Sequence, residues 1–465
     1  MADLDDSLDA RISFGCPVGV QAILRAAWRH DVDALKPLLD APGKASCRDP
    51  ETGETPLHAA IRSMGPKKDA DDNGTSEAEA AAIKTIENLL FGGAIWNDVD
   101  ANNETPGCVA WRLNQKGLYE EIVRAGARAE MLFAILEGYE ALNSDGEDSE
   151  EEDEEMGEPD AEAEAEAEAE AEAEAEAEAE TETEAVAETK TDEANGNSAG
   201  AEKEPAEDAT ETPYLESHLT LVDGKLVDAA GNGVMMDWET EIMRRSVEAM
   251  LGPAADAPPA KEKRVLNIGF GLGIIDSMIA ARQPLRHHII EAHPEVLARI
   301  DAASKNPAAA GDDHAAEFGA AWEASGESEG NEGAYKVHRG RWQDICPKLL
   351  AEGELYDAIY FDTFGEDYSE LRRFFTDYIP GMLDDGGVFG FFNGLGADRR
   401  VCYDVYTRVV EMHLSEAGLD VAWQDVEVPL AKDGLDTAGA GAWEGILRPY
   451  WTLDRYRLPV CTFMG

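Results

Sequence analysis

The stretch Val265–Asp276, VLNIGFGLGIID, decides the fold. An apolar run from Val265 to Ile268 reaches Gly269, Gly271 and Gly273, then passes into Ile274, Ile275 and Asp276. That order predicts a β-strand, a glycine turn and the start of a helix. Such a turn presents backbone N–H groups and a helix N-terminus to a small ligand.

The surroundings extend this unit. Further strand candidates start at His287, Ala334, Tyr356, Gly387, Val421 and Tyr456, with the first at Arg264. Helical patterns separate most of them. This alternation predicts an α/β fold with an open, seven-stranded, mostly parallel sheet and helices on both faces. Ligands in such sheets sit beyond the carboxyl ends of the strands, at the point where strand order reverses.

The glycine spacing narrows the ligand. A dinucleotide fingerprint needs G-x-G-x-x-G or A, and position 274 is Ile. No G-x-x-x-x-G-K-[ST] occurs, so nothing supports ATP hydrolysis. Gly269-x-Gly271-x-Gly273 is the pattern of class I, Rossmann-like methyltransferases that use S-adenosylmethionine, where glycines let the backbone approach the ligand closely. Glu291 ends the second strand, 22 residues after Gly269, and is placed to accept two ribose hydroxyls. Trp342 and Gln343, in GRWQDI, are candidates to stack on and hydrogen-bond an adenine; core packing is the alternative for Trp342. Asp362, in YFDTFGED, falls at the mouth of the sheet, or else caps a helix. Glu239 and Met243 lie ahead of the glycines in GVMMDWETEIM, and Tyr214 in TPYLES is a candidate lid residue. Glu239 is alternatively an exposed helix acid. Many class I enzymes carry an acid two residues before the first glycine, to hold the methionine ammonium; this chain has Asn267.

The chain has 465 residues and a formal net charge of −58. From Ser144 to Thr212 there are 31 acidic residues against two lysines, so half the charge sits there. The rest is acidic too, which argues against direct nucleic-acid binding and favours basic partners or plain solubility. Six cysteines form no C-x-x-C pair, so no zinc or other metal site is expected, and scattered thiols fit a reducing compartment. The acidic start MADLDDSLDA has no apolar core of a signal peptide, and no apolar run approaches a membrane span. A cytoplasmic monomer is expected; a nuclear location is left open, although no basic import signal is evident.

Three zones follow. Residues 1–143 carry a pair of short helices over Ile23–Leu38 and the motif Thr55-Pro56-Leu57-His58-x-Ala60, which resembles the ankyrin signature. A degraded copy begins at Thr105. The 50-residue offset falls to about one ankyrin period of ~33 once the 16-residue polar insert Gly65–Ala80 is removed. His58 is expected to cap and cross-link turns rather than to act as a base. With two or three units, the zone is either a protein-binding surface or a small helical cap on the next domain. Residues 144–211 include ten Ala-Glu pairs, Ala161–Glu180, whose charge recurs on every helical face. They read as a disordered acidic linker. Residues 212–465 hold the sheet.

Taken together, Trp238-Glu239-Thr240, Gly269-Phe270-Gly271, Glu291, Trp342-Gln343-Asp344 and Asp362-Thr363 resemble guanidinoacetate methyltransferase. Joined to the ankyrin-like zone, the chain resembles the fungal type IV (N5) protein arginine methyltransferases. The paired-glutamate and T-H-W loops of terminal-nitrogen arginine methyltransferases are not visible. The resemblance implies methyl transfer from S-adenosylmethionine to the δ-nitrogen of arginine in a basic, ribosomal protein. A small-molecule guanidino methyltransferase, or an adaptor with an inactive fold, is the alternative. It implies a cofactor site at Tyr214, Met243, Gly269, Phe270, Gly271, Leu272, Gly273, Ile274, Ile275, Glu291, Ala292, His293, Trp342, Gln343 and Asp362. Glu239 and Asp362 would be catalytic, because a guanidinium arrives charged and two carboxylates can hold it by forked N–H bonds.

Overall fold

The computed structural model describes residues 4–68, 76–144, 211–253, 260–307, 313–327, 331–430, 440–447 and 449–465. The Ala-Glu tract and the middle of the Gly65–Ala80 insert lie outside them. Residues 1–136 and 209–465 form one compact unit.

The N-terminal part is helical. Helices α1 (Val18–Trp28) and α2 (Val32–Leu38) pair, as do α3 (Pro56–Arg62) and α4 (Glu77–Phe91); α5 (Pro106–Arg112) packs against α3 and is followed by α6 (Lys116–Ser144). Thr55 and Thr105 each cap a helix, accepting from the N–H groups of His58 and Cys108, with Pro56 and Pro106 in the first helical position. His58 is fully buried. Its Nδ1 pairs with Thr55 Oγ1 at 2.8 Å and its Nε2 with the Glu104 carbonyl at 2.9 Å, so it ties one capped turn to the next.

A small antiparallel sheet then forms from β1 (Thr220–Val222), β2 (Lys225–Val227) and β3 (Gly233–Met236). Sequence reasoning missed it, because its strands are three or four residues long. The available signal was Asp223-Gly224, a two-residue hairpin turn with both φ angles positive.

The main sheet contains all seven expected strands: β4 (Arg264–Ile268), β5 (Arg286–Glu291), β6 (Tyr335–Arg339), β7 (Tyr356–Phe361), β8 (Leu383–Phe391), β9 (Leu419–Glu427) and β10 (Arg455–Phe463). Their order is β6-β5-β4-β7-β8-β10-β9. β10 alone runs against the common strand direction, antiparallel to both β8 and β9; the other pairs are parallel. One face is covered by α7 (Thr240–Leu251), α8 (Ile274–Ala280) and α9 (Pro294–Lys305), the other by α10 (Trp342–Ala351), α11 (Tyr368–Asp377) and α12 (Arg400–Glu416). Strands β4, β5 and β7 are buried on both sides; β4 and β7 accordingly read as mostly apolar runs, whereas β5 buries His287 and His288, paired with Asp276 and the Tyr356 hydroxyl. Strand order reverses between β4 and β7, so their carboxyl ends frame the crevice. Among the described residues no helix is long and apolar enough to cross a membrane.

Candidate active site

A cavity of about 260 Å³ opens at that crevice, many times the roughly 10–15 Å³ that one water requires. The turn after β4 forms its floor. Gly269 has φ +94°, and a Cβ there would lie 1.8 Å from the Asp362 carbonyl oxygen. Gly271 has φ +52°, and its Cβ would lie 2.5 Å from Met235 Sδ. At Gly269 the obstacle is backbone, so only glycine allows the approach; at Gly271 it is a flexible side chain, and the positive φ is what favours glycine. Gly273 heads α8.

The carboxylates converge from separate elements. Glu239, in a short 3-10 turn after β3, is 3% exposed. Its Oε1 accepts from the Met236 N–H at 3.2 Å and from the Tyr450 hydroxyl. Asp362 follows β7 and is partly exposed on the cavity wall. Burial raises the pKa of both carboxyls, and the Asp362 charge raises that of Glu239 further. Glu239 is therefore no exposed helix acid. Asp362 caps nothing, since the next helix begins at Tyr368 behind Asp367. Glu291 also lines the cavity, but its carboxylate is already engaged. Oε2 accepts from the N–H groups of Phe270 (2.9 Å) and Gly271 (3.4 Å), and Oε1 from that of His293 (2.6 Å).

With Glu366 and Asp367, five carboxylates line the cavity, and no Lys, Arg or His does among the described residues. Tyr214, Phe361, Phe364, Tyr368, Phe392 and Tyr450 add an aromatic sleeve. Such a site suits a cation carried on an apolar stem. These features also fit S-adenosylmethionine. The glycine cradle admits a close ligand, Glu291 stands at the end of β5, and the acidic lining suits a positively charged sulfonium.

Several expected cofactor residues sit elsewhere. Met243 is fully buried in the core between α7 and the sheet. Met235, not Met243, meets the glycine turn: the Leu272 N–H points at its Sδ, 3.0 Å away. Phe270, Leu272, Ile274 and Ile275 pack into the same core, and none of them lines the cavity. His293 caps α9, Ala292 is half-buried beside it, and neither lines the cavity. Trp342 packs in the core against Phe361, Phe374 and Tyr378 and does not itself line the cavity, although Phe361 does. Its indole N–H and the Gln343 amide both donate to Glu366, at 2.9 and 2.7 Å. The pair thus holds a cavity carboxylate rather than forming the wall.

Tyr214 does line the cavity, its ring 4.9 Å from Phe364 and 5.0 Å from His293. Asn267 does not. It is fully buried, and its amide N–H₂ donates to the Gly269 carbonyl and to Asp276, both at 2.8 Å. Asp276 in turn meets His287 Nε2 at 3.0 Å. Sequence reasoning also missed Arg299, which donates to the Gly271 carbonyl at 2.7 Å, and Tyr450. Their contacts span 28 and 211 positions, beyond any local pattern.

Comparison with known proteins gives a consistent picture. The family model for guanidinoacetate N-methyltransferase matches residues 206–310. Curated proteins named protein arginine N-methyltransferase 2 match nearly end to end. The one from Neurospora crassa is 56% identical over 100% of both chains. That from Gibberella zeae is 51% identical over 97% of this chain and 94% of its own. That from Aspergillus fumigatus is 42% identical over 98% and 99%. Among solved structures, a putative S-adenosylmethionine-dependent methyltransferase from Streptococcus mutans covers 53% of this chain and 56% of its own at 12% identity and a TM-score of 0.30, too slight a likeness to carry weight.

Proposed function

We propose, for a chain that belongs to the fungal protein arginine N-methyltransferase 2 family, that it transfers a methyl group from S-adenosylmethionine to the δ-nitrogen of an arginine in a basic protein. The observation that carries this reading is the pair Glu239 and Asp362, facing one cavity with five carboxylates and no base among its described lining residues.

The bound co-substrate supplies an electrophilic methyl on a sulfonium. The Gly269–Gly273 turn, Glu291 and Met235 would hold it, and Tyr214 would close over it. An arginine side chain passes its stem through the aromatic sleeve and presents its guanidinium to Glu239 and Asp362. The guanidinium has no spare lone pair, because its pKa exceeds ~12. Two carboxylates gripping the terminal nitrogens localise charge there and leave the substituted nitrogen facing the methyl. In the balanced step the N–C bond forms, the C–S bond breaks with its electron pair going to sulfur, and the guanidinium proton passes to a carboxylate. Burial suits the pair to this: it raises both pKa values toward the range where one member can take a proton.

The remaining readings belong to the same proposal. The paired helices with Thr-Pro caps act as ankyrin-like repeats that bring in the protein substrate, a ribosomal protein, in the cytoplasm or nucleus. The enzyme works as a monomer, without direct contact to nucleic acid or membrane and without a metal. The second reading, a small guanidino metabolite as substrate, is favoured by the guanidinoacetate family match over residues 206–310. One experiment separates them. The full chain is incubated with labelled S-adenosylmethionine, a ribosomal-protein fraction and guanidinoacetate, followed by mass analysis. δ-Methylarginine in protein supports the proposal; label only in guanidinoacetate overturns it. Asp362→Asn should abolish turnover while largely keeping co-substrate affinity in calorimetry.

A further inference from the structure

Tyr450 stands just before β10, far along the chain from Glu239, yet its hydroxyl donates to Glu239 Oε1. The Met236 N–H donates to that same oxygen. Among the described residues no donor reaches Oε2. The tyrosine ring is held on two sides, its centroid 5.0 Å from that of Trp443, edge-on, and 5.9 Å from that of Trp238. Trp443 is itself fully buried. The phenol therefore has little freedom to swing, and it lines the same cavity as both carboxylates.

We propose that Tyr450 is a positioning residue for the substrate guanidinium. Its O–H, with the Met236 N–H, occupies Oε1, fixes the rotation of the Glu239 carboxylate and leaves Oε2 as its one acceptor for substrate. Glu239 then grips a single N–H, and Asp362, to whose carboxylate no described residue donates, takes the forked edge. The asymmetry decides which way the guanidinium lies in the cavity.

The tyrosine also favours the ionised form of Glu239. The titratable groups that face Glu239 are Tyr360 from β7, Asp362 just past its end, and Tyr450 itself, none of them cationic. Burial and the Asp362 charge both favour the protonated form; the two donors oppose them. A hydrogen bond to the ionised form lowers a pKa, so its loss raises it. The acid limb of activity, which requires ionised Glu239, then moves to higher pH.

This inference rests on the arginine reading above, and its test separates the two. Full-length wild type and Tyr450→Phe are assayed on an arginine peptide across pH, with S-adenosylmethionine affinity measured alongside as a check on folding. Removing the hydroxyl should move the acid limb of kcat/KM up by about one to two pH units, with a roughly 10- to 100-fold loss below the new limb. The two enzymes should converge at high pH, and co-substrate affinity should not change. Should the phenylalanine variant fail to fold, 3-fluorotyrosine at position 450, a stronger donor of nearly equal size, should move the limb down. An active wild type with an unmoved limb in either variant overturns the role of Tyr450 alone. A wild type that methylates no arginine peptide overturns both readings.

Discussion

Asn267 occupies a position where an acid is common, and its surroundings show why an amide is required. Both its contacts are acceptors, the Gly269 carbonyl and the Asp276 carboxylate, so the side chain must donate twice. An aspartate has no N–H to give and would face Asp276 as a second buried carboxylate. Asn267→Asp should weaken S-adenosylmethionine binding roughly 10- to 100-fold in calorimetry, with partial recovery at lower pH as one of the two acids takes up a proton. Unchanged affinity would show that the amide does not hold the turn. Gly269 is the stricter case, because its positive φ and the Asp362 carbonyl both exclude a Cβ. Gly269→Ala should leave no measurable co-substrate binding in the same titration. The glycines were legible in the sequence. The donor role of Asn267 was not, since it depends on Asp276, nine positions away, folding back beneath the turn.

At the scale of elements, the helical pairs are joined by buried charge. The Arg62 guanidinium at the end of α3 is fully buried and meets Glu54, Asp100 and Asp6, with Glu104 at 3.3 Å. Asp6 and Glu104 are shared with Arg112 at the end of α5. Desolvation pushes the Glu54 carboxyl up to about 7 even beside this arginine, so its charge depends on the pairing. Arg62→Met should cost roughly 3–5 kcal/mol in urea unfolding, because it strands several acids in the interior. A loss below about 1 kcal/mol would mean that solvent replaces the arginine there. The Thr-Pro starts of α3 and α5 were readable locally, as cap and first-turn chemistry. The network was not, because its members come from the start of the chain and from the turns before and helices after both Thr-Pro caps.

For the whole molecule, the decisive contact is made by α12. Val401, Val405 and Val409 on this helix belong to the same apolar core as the N-terminal helices. A Cβ on Gly107 would lie 2.4 Å from Val401, and one on Gly126 2.6 Å from Val405, so the helices approach as closely as glycine permits. Around this seam the Tyr119 hydroxyl donates to Asp404, and the Arg400 guanidinium lies 4.6 Å over the Trp111 ring. The same α12 carries Tyr403, whose hydroxyl accepts from Asn393, between the cavity residues Phe392 and Gly394. Two parts that share one core should unfold together. Thermal unfolding of the full chain should show a single transition for these parts. Val405→Asp, which buries a charge without a partner, should lower the stability of both at once by roughly 3–5 kcal/mol. Two separated transitions, with only the first affected, would sink the idea of one core.

The sequence by itself determined the sheet and its glycine turn, and it marked the two facing carboxylates. Each of these is written in a few consecutive residues: an apolar run, a glycine spacing, an acid at a strand end. The tertiary structure alone decided what those residues do next to one another. It put Trp342 and Gln343 behind Glu366, turned the Glu291 carboxylate onto three backbone N–H groups, brought Met235 rather than Met243 to the turn, and set Tyr450 on Glu239. The physical reason is that buried polar groups must find partners. The partners available are fixed by which strands and helices become neighbours, and no local periodicity records that.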